Sequence, residues 1–425
     1  MRSLTARTFL MQKRDLQNAA YNVVGESLWG FQAAMVSSAT VLVVVLRQFG
    51  AGRAMIGSIT SIETFAWLFP QIIGLYLFRS RSRRKSELII YHYVAAIPIL
   101  VAIGWVLRLS PALPVNVTRV VVLTFWGLYV LSIGIVLAVW MDWVAGVFDV
   151  RFRGTAMGLA FFGSSAMGLT GGLLSGRIIG QGHALNAFST IYVAAACIAA
   201  AAMSPFWLME DPARFQNDPP PPSMTSILRY FRLSLSDTDF RAFLIGRILA
   251  TSGFCIVPLI GDYFSSPEGG AIGPGKLVCY GASTAVGAAI ANLGLGRIGD
   301  KAGHRVGLII GAGTQILALL VLLLVPGELG CLPVYVAAGV CVGSAAVSHY
   351  NMVFETCPHD NRTAHIILAN LVIGASTVFT PIVAGMSAAH WGMPFVFAGS
   401  LALSIAALLW FLLRVREPRL VGQHF

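Results

Sequence analysis

Apolar residues run along the chain in twelve long blocks, at about 20–46, 54–77, 88–107, 120–141, 155–179, 190–209, 242–263, 277–296, 306–325, 332–353, 364–386 and 393–413. A helix crosses the hydrocarbon core of a bilayer with about 20 mostly apolar residues. Strands would be shorter and would alternate, so the pattern predicts helices throughout. The longest polar stretch, 210–240, lies in the middle. It holds Glu210, Asp211, the run Pro219–Pro222 and a basic amphipathic piece, Ser223–Leu235. A proline run is stiff and extended, so this stretch predicts a solvated linker. The expected organisation is one six-span bundle over 1–209, a linker over 210–240 and a second six-span bundle over 241–425.

Composition supports an all-α membrane protein. Hydrophobic residues make up 56% of the 425 and charged residues only 11%, against about 25% charge in a soluble domain. That excludes a soluble enzyme, a disordered chain and a collagen-like repeat. The 44 glycines are tolerated in spans because small residues let helix backbones approach closely. A net charge of +11 would suggest nucleic acid in a soluble protein; here the distribution decides. With the N-terminus inside, the inner segments hold 22 Lys and Arg and the outer segments 6. This bias predicts a multi-pass protein of the cytoplasmic membrane with both termini cytoplasmic, in contact with lipid, monomeric, and without a nucleic-acid partner.

The six cysteines form no C-x-x-C pair and read as small core residues. Residues 1–18 are polar and basic, and the apolar run that follows is longer than a signal core, so no cleavable signal is expected. Asn116-Val117-Thr118 matches a glycosylation sequon by chance-length similarity alone. No GxGxxG, P-loop or nucleophile-elbow pattern is present, so neither an enzyme nor an ATP-driven pump is expected, and no cofactor or metal.

The two halves echo each other. After span 8 the chain reads Gly296-Arg297-Ile298-Gly299-Asp300-Lys301-Ala302-Gly303-His304-Arg305; after span 2 it reads Gly74-Leu75-Tyr76-Leu77-Phe78-Arg79-Ser80-Arg81-Ser82-Arg83, offset by 222 residues. A second echo, 209 residues apart, pairs Arg153 with Arg362 and Gly176 with Gly385. Parallel repeats around a central linker are a transporter architecture. On these features the chain resembles the major facilitator superfamily along essentially its whole length. The loop at 296–305 matches the family's signature cytoplasmic loop at every defining position, whereas the copy at 74–83 has Phe78 in place of the acid and Arg81 in place of the second glycine. Span 5 carries Met167-Gly168-Leu169-Thr170-Gly171-Gly172, similar to the glycine-rich antiporter motif without its proline. Phe69-Pro70-Gln71 and Asn351, Glu355, Pro358 and Arg362 resemble a bacterial branch with unassigned substrates. The resemblance implies twelve helices in two pseudo-symmetric bundles. It also implies a gate in which Gly296, Asp300, Lys301, Gly303 and Arg305 act with Arg153, Asp300 lying near the start of helix 5 beside that arginine. An anion there is stabilised by the helix dipole and the guanidinium. The alternative is a tight basic turn that only fixes topology.

Three charged residues fall inside spans: Glu26 two turns into span 1, Glu63 about 14 Å into span 2, and Arg247 in span 7. An ionised group at mid-bilayer costs at least ~2.5–3.5 kcal/mol and usually faces the bundle interior. Glu26 and Arg247 lie at similar depths in matching helices, and the expectation is that they face each other. Asn22, Glu26 and Trp29 follow helical spacing on span 1. Asn370, Tyr350 and Asn351 are further candidates for the cavity. Burial favours the neutral form of an acid, which would let Glu26 or Glu63 carry a proton. The alternatives are interfacial hydrogen bonding for Glu26, structural pairing for Glu63 and snorkelling for Arg247. His92 and His349 are expected to be structural, Asp142 and Asp262 to cap or solvate span ends, and Trp140 and Trp143 to be interfacial anchors. The sequence reading is therefore a secondary active transporter moving a small solute by alternating access with protons; the competing readings are a uniporter and a transporter-like sensor or assembly factor.

Overall fold

A computed structural model describes residues 2–78, 80, 82–148, 150–182, 184–211, 224–325, 327–356 and 362–418. Among them there are helices and no strands. Span 1 is two helices, α1 (Arg2–Met35) and α2 (Val41–Gln48); span 2 is α3 (Arg53–Leu68) and α4 (Gln71–Leu77). Span 3 is α5 (Arg84–Tyr91), a π-helical turn at His92–Ala96 and α6 (Ile97–Leu109). Spans 4, 5 and 6 are α7 (Val115–Val147), α8 (Val150–Gly180) and α9 (Ala184–Leu208). The amphipathic piece of the linker is a helix, α10 (Met224–Ser234). Span 7 is α11 (Thr238–Phe254) and α12 (Val257–Ser265), and span 8 is α13 (Pro274–Gly281) and α14 (Thr284–Ala302). Span 9 is α15 (Arg305–Leu324). Span 10 is α16 (Glu328–Ser344), a second π turn at Ala345–His349 and α17 (Tyr350–Glu355). Spans 11 and 12 are α18 (Arg362–Trp391) and α19 (Met393–Leu413).

Ten of these twelve are long and apolar enough to cross a membrane on length and hydropathy. The two that are not are spans 1 and 2, for physical reasons. Helix α1 carries Asn22, Glu26 and Gln32 and stops at Met35, with five residues between it and α2. Span 2 is cut at Phe69-Pro70, because proline lacks the N–H and crowds the preceding turn. Span 7 begins earlier than the apolar block suggests, because Asp237 caps it: its carboxylate accepts from the N–H groups of Asp239 (2.8 Å) and Phe240 (2.9 Å).

Contacts group the chain into two compact units, Met1–Ser37 with Phe69–Pro220, and Ser38–Leu68 with Pro221–Phe425. In the first unit α1 is the hub, packing on α8 and α9. The α1–α8 seam is made of small residues: a side chain at Gly171 would run into the backbone of Phe31, and one at Gly30 into Ser164. The glycines of span 5 therefore serve close helix packing. In the second unit α3 packs along α18, where Gly57 meets the backbone at Pro381 and Gly385. Phe240, Phe243, Leu308, Met352 and Phe411 form a fully buried core beneath α11, α15, α18 and α19.

Candidate functional site

The polar groups of the second unit collect on one cavity of about 460 Å³. Helical spacing explains the collection. Thr60, Glu63, Thr64 and Trp67 lie three or four residues apart on α3, so they share a face. On α18 the same spacing brings Asn370, Ile373, Gly374 and Thr377 to the cavity. Arg247 arrives from α11, and the π turn of span 10 contributes Ala345, Ala346 and His349. A π turn shifts the side chains that follow it around the helix, and such turns are frequent at functional sites. His349 is buried, stacks on Phe243 with ring centres 5.6 Å apart, and has Nε2 3.4 Å from Asn370 Oδ1.

A second cavity, of about 350 Å³, adjoins the first. Thr60, Glu63, Arg247, Ala345 and Thr377 line both and form a waist. Three of the residues expected from sequence, Glu63, Arg247 and Asn370, thus share one site. Asn351 does not line it; its Nδ2 donates to the carbonyl of Val347 (2.7 Å), one turn back. The Tyr350 side chain lies outside the described residues. His349 and the threonines were missed, although the repeat of Thr60, Glu63 and Thr64 on one face was legible.

The remaining candidates of span 1 lie in the first unit. Glu26 Oε1 accepts from Trp140 Nε1 (3.3 Å). Trp29 meets His92 edge-on at 5.4 Å, and His92 meets Trp140 at 5.3 Å. Here too a π turn, His92–Ala96, carries the histidine. Asn22, one turn below Glu26, is fully buried and its side-chain amide has no hydrogen-bond partner among the described residues. Trp140 and Trp143 are not interfacial anchors. Trp143 is buried and donates to Asp211 Oδ1 (2.8 Å), and Trp140 packs on Phe206 at 4.6 Å. Their indole N–H groups are spent on carboxylates inside the unit.

Two charged clusters tie down the ends of the second unit. Asp262 is completely buried and ion-paired with Arg47 and with Arg53 (3.5 Å); Arg53 also reaches Glu268 (3.1 Å) and donates to the carbonyl of Ala388 (3.1 Å). Asp262 therefore does not cap or solvate a span end; it anchors the α2–α3 connection to α12 and α18. At the signature loop, the side chains of Arg153, Asp300 and Lys301, and Gly296 itself, lie outside the described residues. The rest of the loop is a clamp. Gly303 ends α14 in a left-handed conformation, φ +86°, and Glu417 lies where a side chain on Gly303 would go. Glu417 accepts from the Arg305 N–H (2.9 Å), while the Arg305 guanidinium donates to the carbonyls of Phe411 (2.9 Å) and Leu412 (2.7 Å) at the end of α19.

A family model described as Major Facilitator Superfamily matches residues 277–424. No curated protein shows significant sequence similarity to the chain. Solved structures share its fold end to end. A D-xylose-proton symporter superposes with a TM-score of 0.71 at 12% identity, covering 96% of this chain and 99% of that one. The inward-open xylose transporter XylE from E. coli gives 0.67 at 14% identity, with 94% and 96% covered. The nucleoside transporter NupG gives 0.61 at 13% identity, with 94% and 98% covered.

Proposed function

We propose that the chain is a proton-coupled secondary active transporter of the major facilitator superfamily that moves a small polar solute; a sequence model of that family matches residues 277–424, and solved transporters share the fold along its length. The observation that carries this reading is the gathering of Glu63, Arg247, His349 and Asn370 on one cavity at mid-span. Charged groups are expensive at that depth and persist where they bind or relay something. Glu63 is the proton carrier in this reading, and Arg247 and Asn370 bind the solute. Glu26, held by Trp140 beside His92 and Trp29, is a second proton site, with Asn22 supplying an unpaired amide next to it.

The transporter works by alternating access, with residues 1–209 and 241–425 as its moving halves and 210–240 as their linker. The loop from Gly296 to Arg305, with Asp300 and Lys301 acting on Arg153, is the gate at the cytoplasmic side. The protein sits in the cytoplasmic membrane with both termini inside, as the Lys and Arg bias supports. A D-xylose-proton symporter among the similar folds supports coupling to protons.

Proteoliposome flux tests the proposal. A pH gradient, imposed with and without the candidate solute inside, is expected to drive uptake or efflux by the native protein. Glu63→Gln should abolish gradient-driven flux while leaving exchange of solute between equal compartments, because exchange needs no net proton movement. Gradient-driven flux that survives in the double variant with Glu26→Gln would sink proton coupling. Flux indifferent to the gradient in the native protein would make it a uniporter.

A further inference from the structure

Spans 1 and 2 are broken at the two points where the chain passes between the units. Helix α1 ends at Met35 and α2 starts at Val41, and the unit boundary falls between Ser37 and Ser38. Helix α3 ends at Leu68 and α4 starts at Gln71, and the boundary falls between Leu68 and Phe69. A continuous helix resists bending, whereas a non-helical link, or a proline that removes an N–H from the ladder, gives way. The α2–α3 hairpin, residues 41–68, therefore has a hinge at each end, of the kind in which a few residues absorb the backbone change. It is also a wall of both cavities. Thr60 and Glu63 line the two, and Thr64 and Trp67 line the larger one.

One buried acid holds the far end of the hairpin. Among the described residues the carboxylate of Asp262, on α12, is met by Arg47 and Arg53 alone, and both come from the hairpin. Beyond the charges the seam is glycine. Gly57 on α3 lies against the backbone of Pro381 and Gly385, and Gly281 on α13 lies against Thr40. Such a seam closes tightly and has no side chain to unthread when it parts. The two arginines keep contact with solvent, their side chains 34% and 19% exposed, so lifting the hairpin returns them to water at little cost. Asp262 has no such recourse while α12 stays packed, and its charge is what favours the closed hairpin. We propose that the α2–α3 hairpin is a gate at the outer side of the cavities, hinged at 36–40 and at Phe69-Pro70 and latched by Asp262 on Arg47 and Arg53. It lifts off α12 and α18 as one piece while α1 and α4 stay in the first unit, a local movement added to the rocking of the two halves. This rests on the reading of the chain as an alternating-access transporter and assigns that transporter a moving part.

Thiol labelling of the purified full-length protein tests the gate and needs no solute. Native Cys255 and Cys341 are buried and line the smaller chamber; Cys331 is buried in α16 and lines neither cavity; Cys197 is exposed. N-ethylmaleimide is added and the modified peptides are followed by mass spectrometry. In Asp262→Asn, which keeps the shape and removes the charge, Cys255 and Cys341 are expected to react about tenfold faster than in the native protein, with Cys331 and Cys197 unchanged. Gly281→Ala, whose added methyl group would strike Thr40, wedges the same hairpin without touching the charges. It gives the same selective rise should Asp262→Asn fold poorly. Pro70→Ala restores an N–H at the second hinge and lets α3 and α4 join; added to Asp262→Asn, it should return the labelling towards the native rate. A rise at Cys331 equal to that at Cys255 would mean that the second unit loosens as a whole, and would overturn the gate. Unchanged labelling at Cys255 and Cys341 in both variants would overturn it as well. Labelling of Asp262→Asn that is indifferent to Pro70→Ala would overturn the hinged movement. None of these results touches the transport reading, which gradient-driven flux decides independently.

Discussion

At the scale of single residues, the chain spends its few charges in pairs. Asp262 is the clearest case. It is buried without exposure, yet two arginines approach it and a third interaction runs on to Glu268. Removing one partner of a buried pair leaves the other desolvated, which typically costs 3–5 kcal/mol. Arg47 and Arg53 keep part of their surface in contact with solvent, so their screening lowers the figure. Asp262→Asn is expected to cost about 2 kcal/mol, read as a fall in the melting midpoint of the detergent-purified protein. Asp142, which pairs with Arg84 at 2.7 Å on an exposed surface, is the control: Asp142→Asn should move the midpoint hardly at all. Equal effects would show that burial is not what gives Asp262 its weight. The sequence could not distinguish these two aspartates, since both stand at the ends of apolar blocks. What separates them is burial: Asp262 is buried where its arginines meet it, whereas Asp142 meets Arg84 at an exposed position.

At the scale of elements, the helices were legible and their interruptions were not. Hydropathy marks where apolar residues cluster, and all twelve blocks are helical among the described residues, ten of them long and apolar enough to cross a membrane. It carries no signal for a π turn, which depends on one extra residue in a helical ring, and both π turns here bring a buried histidine to a polar cluster. From sequence His92 and His349 are lone histidines near the inner ends of spans, which is why they read as structural. The tail after α19 was also opaque: Arg416-Glu417-Pro418 looks like a solvated end, but Glu417 is buried against the α14–α15 turn. This makes the signature loop an element-to-element clamp whatever else it does. Gly303 needs its left-handed backbone, and a methyl group there would strike the Glu417 carboxyl. Gly303→Ala should therefore destabilise by about 1–2 kcal/mol from backbone strain alone. Glu417→Ala added to it should cost less than the sum of the two singles, because it removes the collision. Strict additivity in the melting midpoints would show that the two residues do not meet. Arg305→Lys should also weaken the clamp, since a point charge cannot serve two carbonyls as a planar fork does.

At the scale of the molecule, the order of the chain and the order of its contacts differ. The repeat and the central linker divide the sequence near residue 220, but Ser38–Leu68, part of the first six spans by sequence, packs with the second unit. Three features hold it there. Gly57 lies against Gly385, Arg53 reaches the carbonyl of Ala388, and Glu63 lines a cavity with Arg247 and Asn370. Long-range packing of this kind is invisible to any local pattern, which is why the residues of the site could be named one by one from sequence but not assigned to one cavity. It has a consequence for a split protein. If the chain is cut within 212–223 and the pieces are made separately, the first piece carries α3 with no α18 to cover it, exposing Ile56, Ile59 and Ala66, which are buried in the intact protein. The second piece lacks one wall of its cavity. Each piece alone is expected to aggregate on extraction, whereas co-expressed pieces should purify together through a tag on either one and recover flux. Arg53→Ala with Gly57→Leu in the first piece, a pair of changes confined to the α3 contacts, should weaken that co-purification. Pieces that extract as stable, separate proteins would show that α3 has an adequate home within the first unit, and that its packing against α18 contributes little to holding the two parts of the chain together.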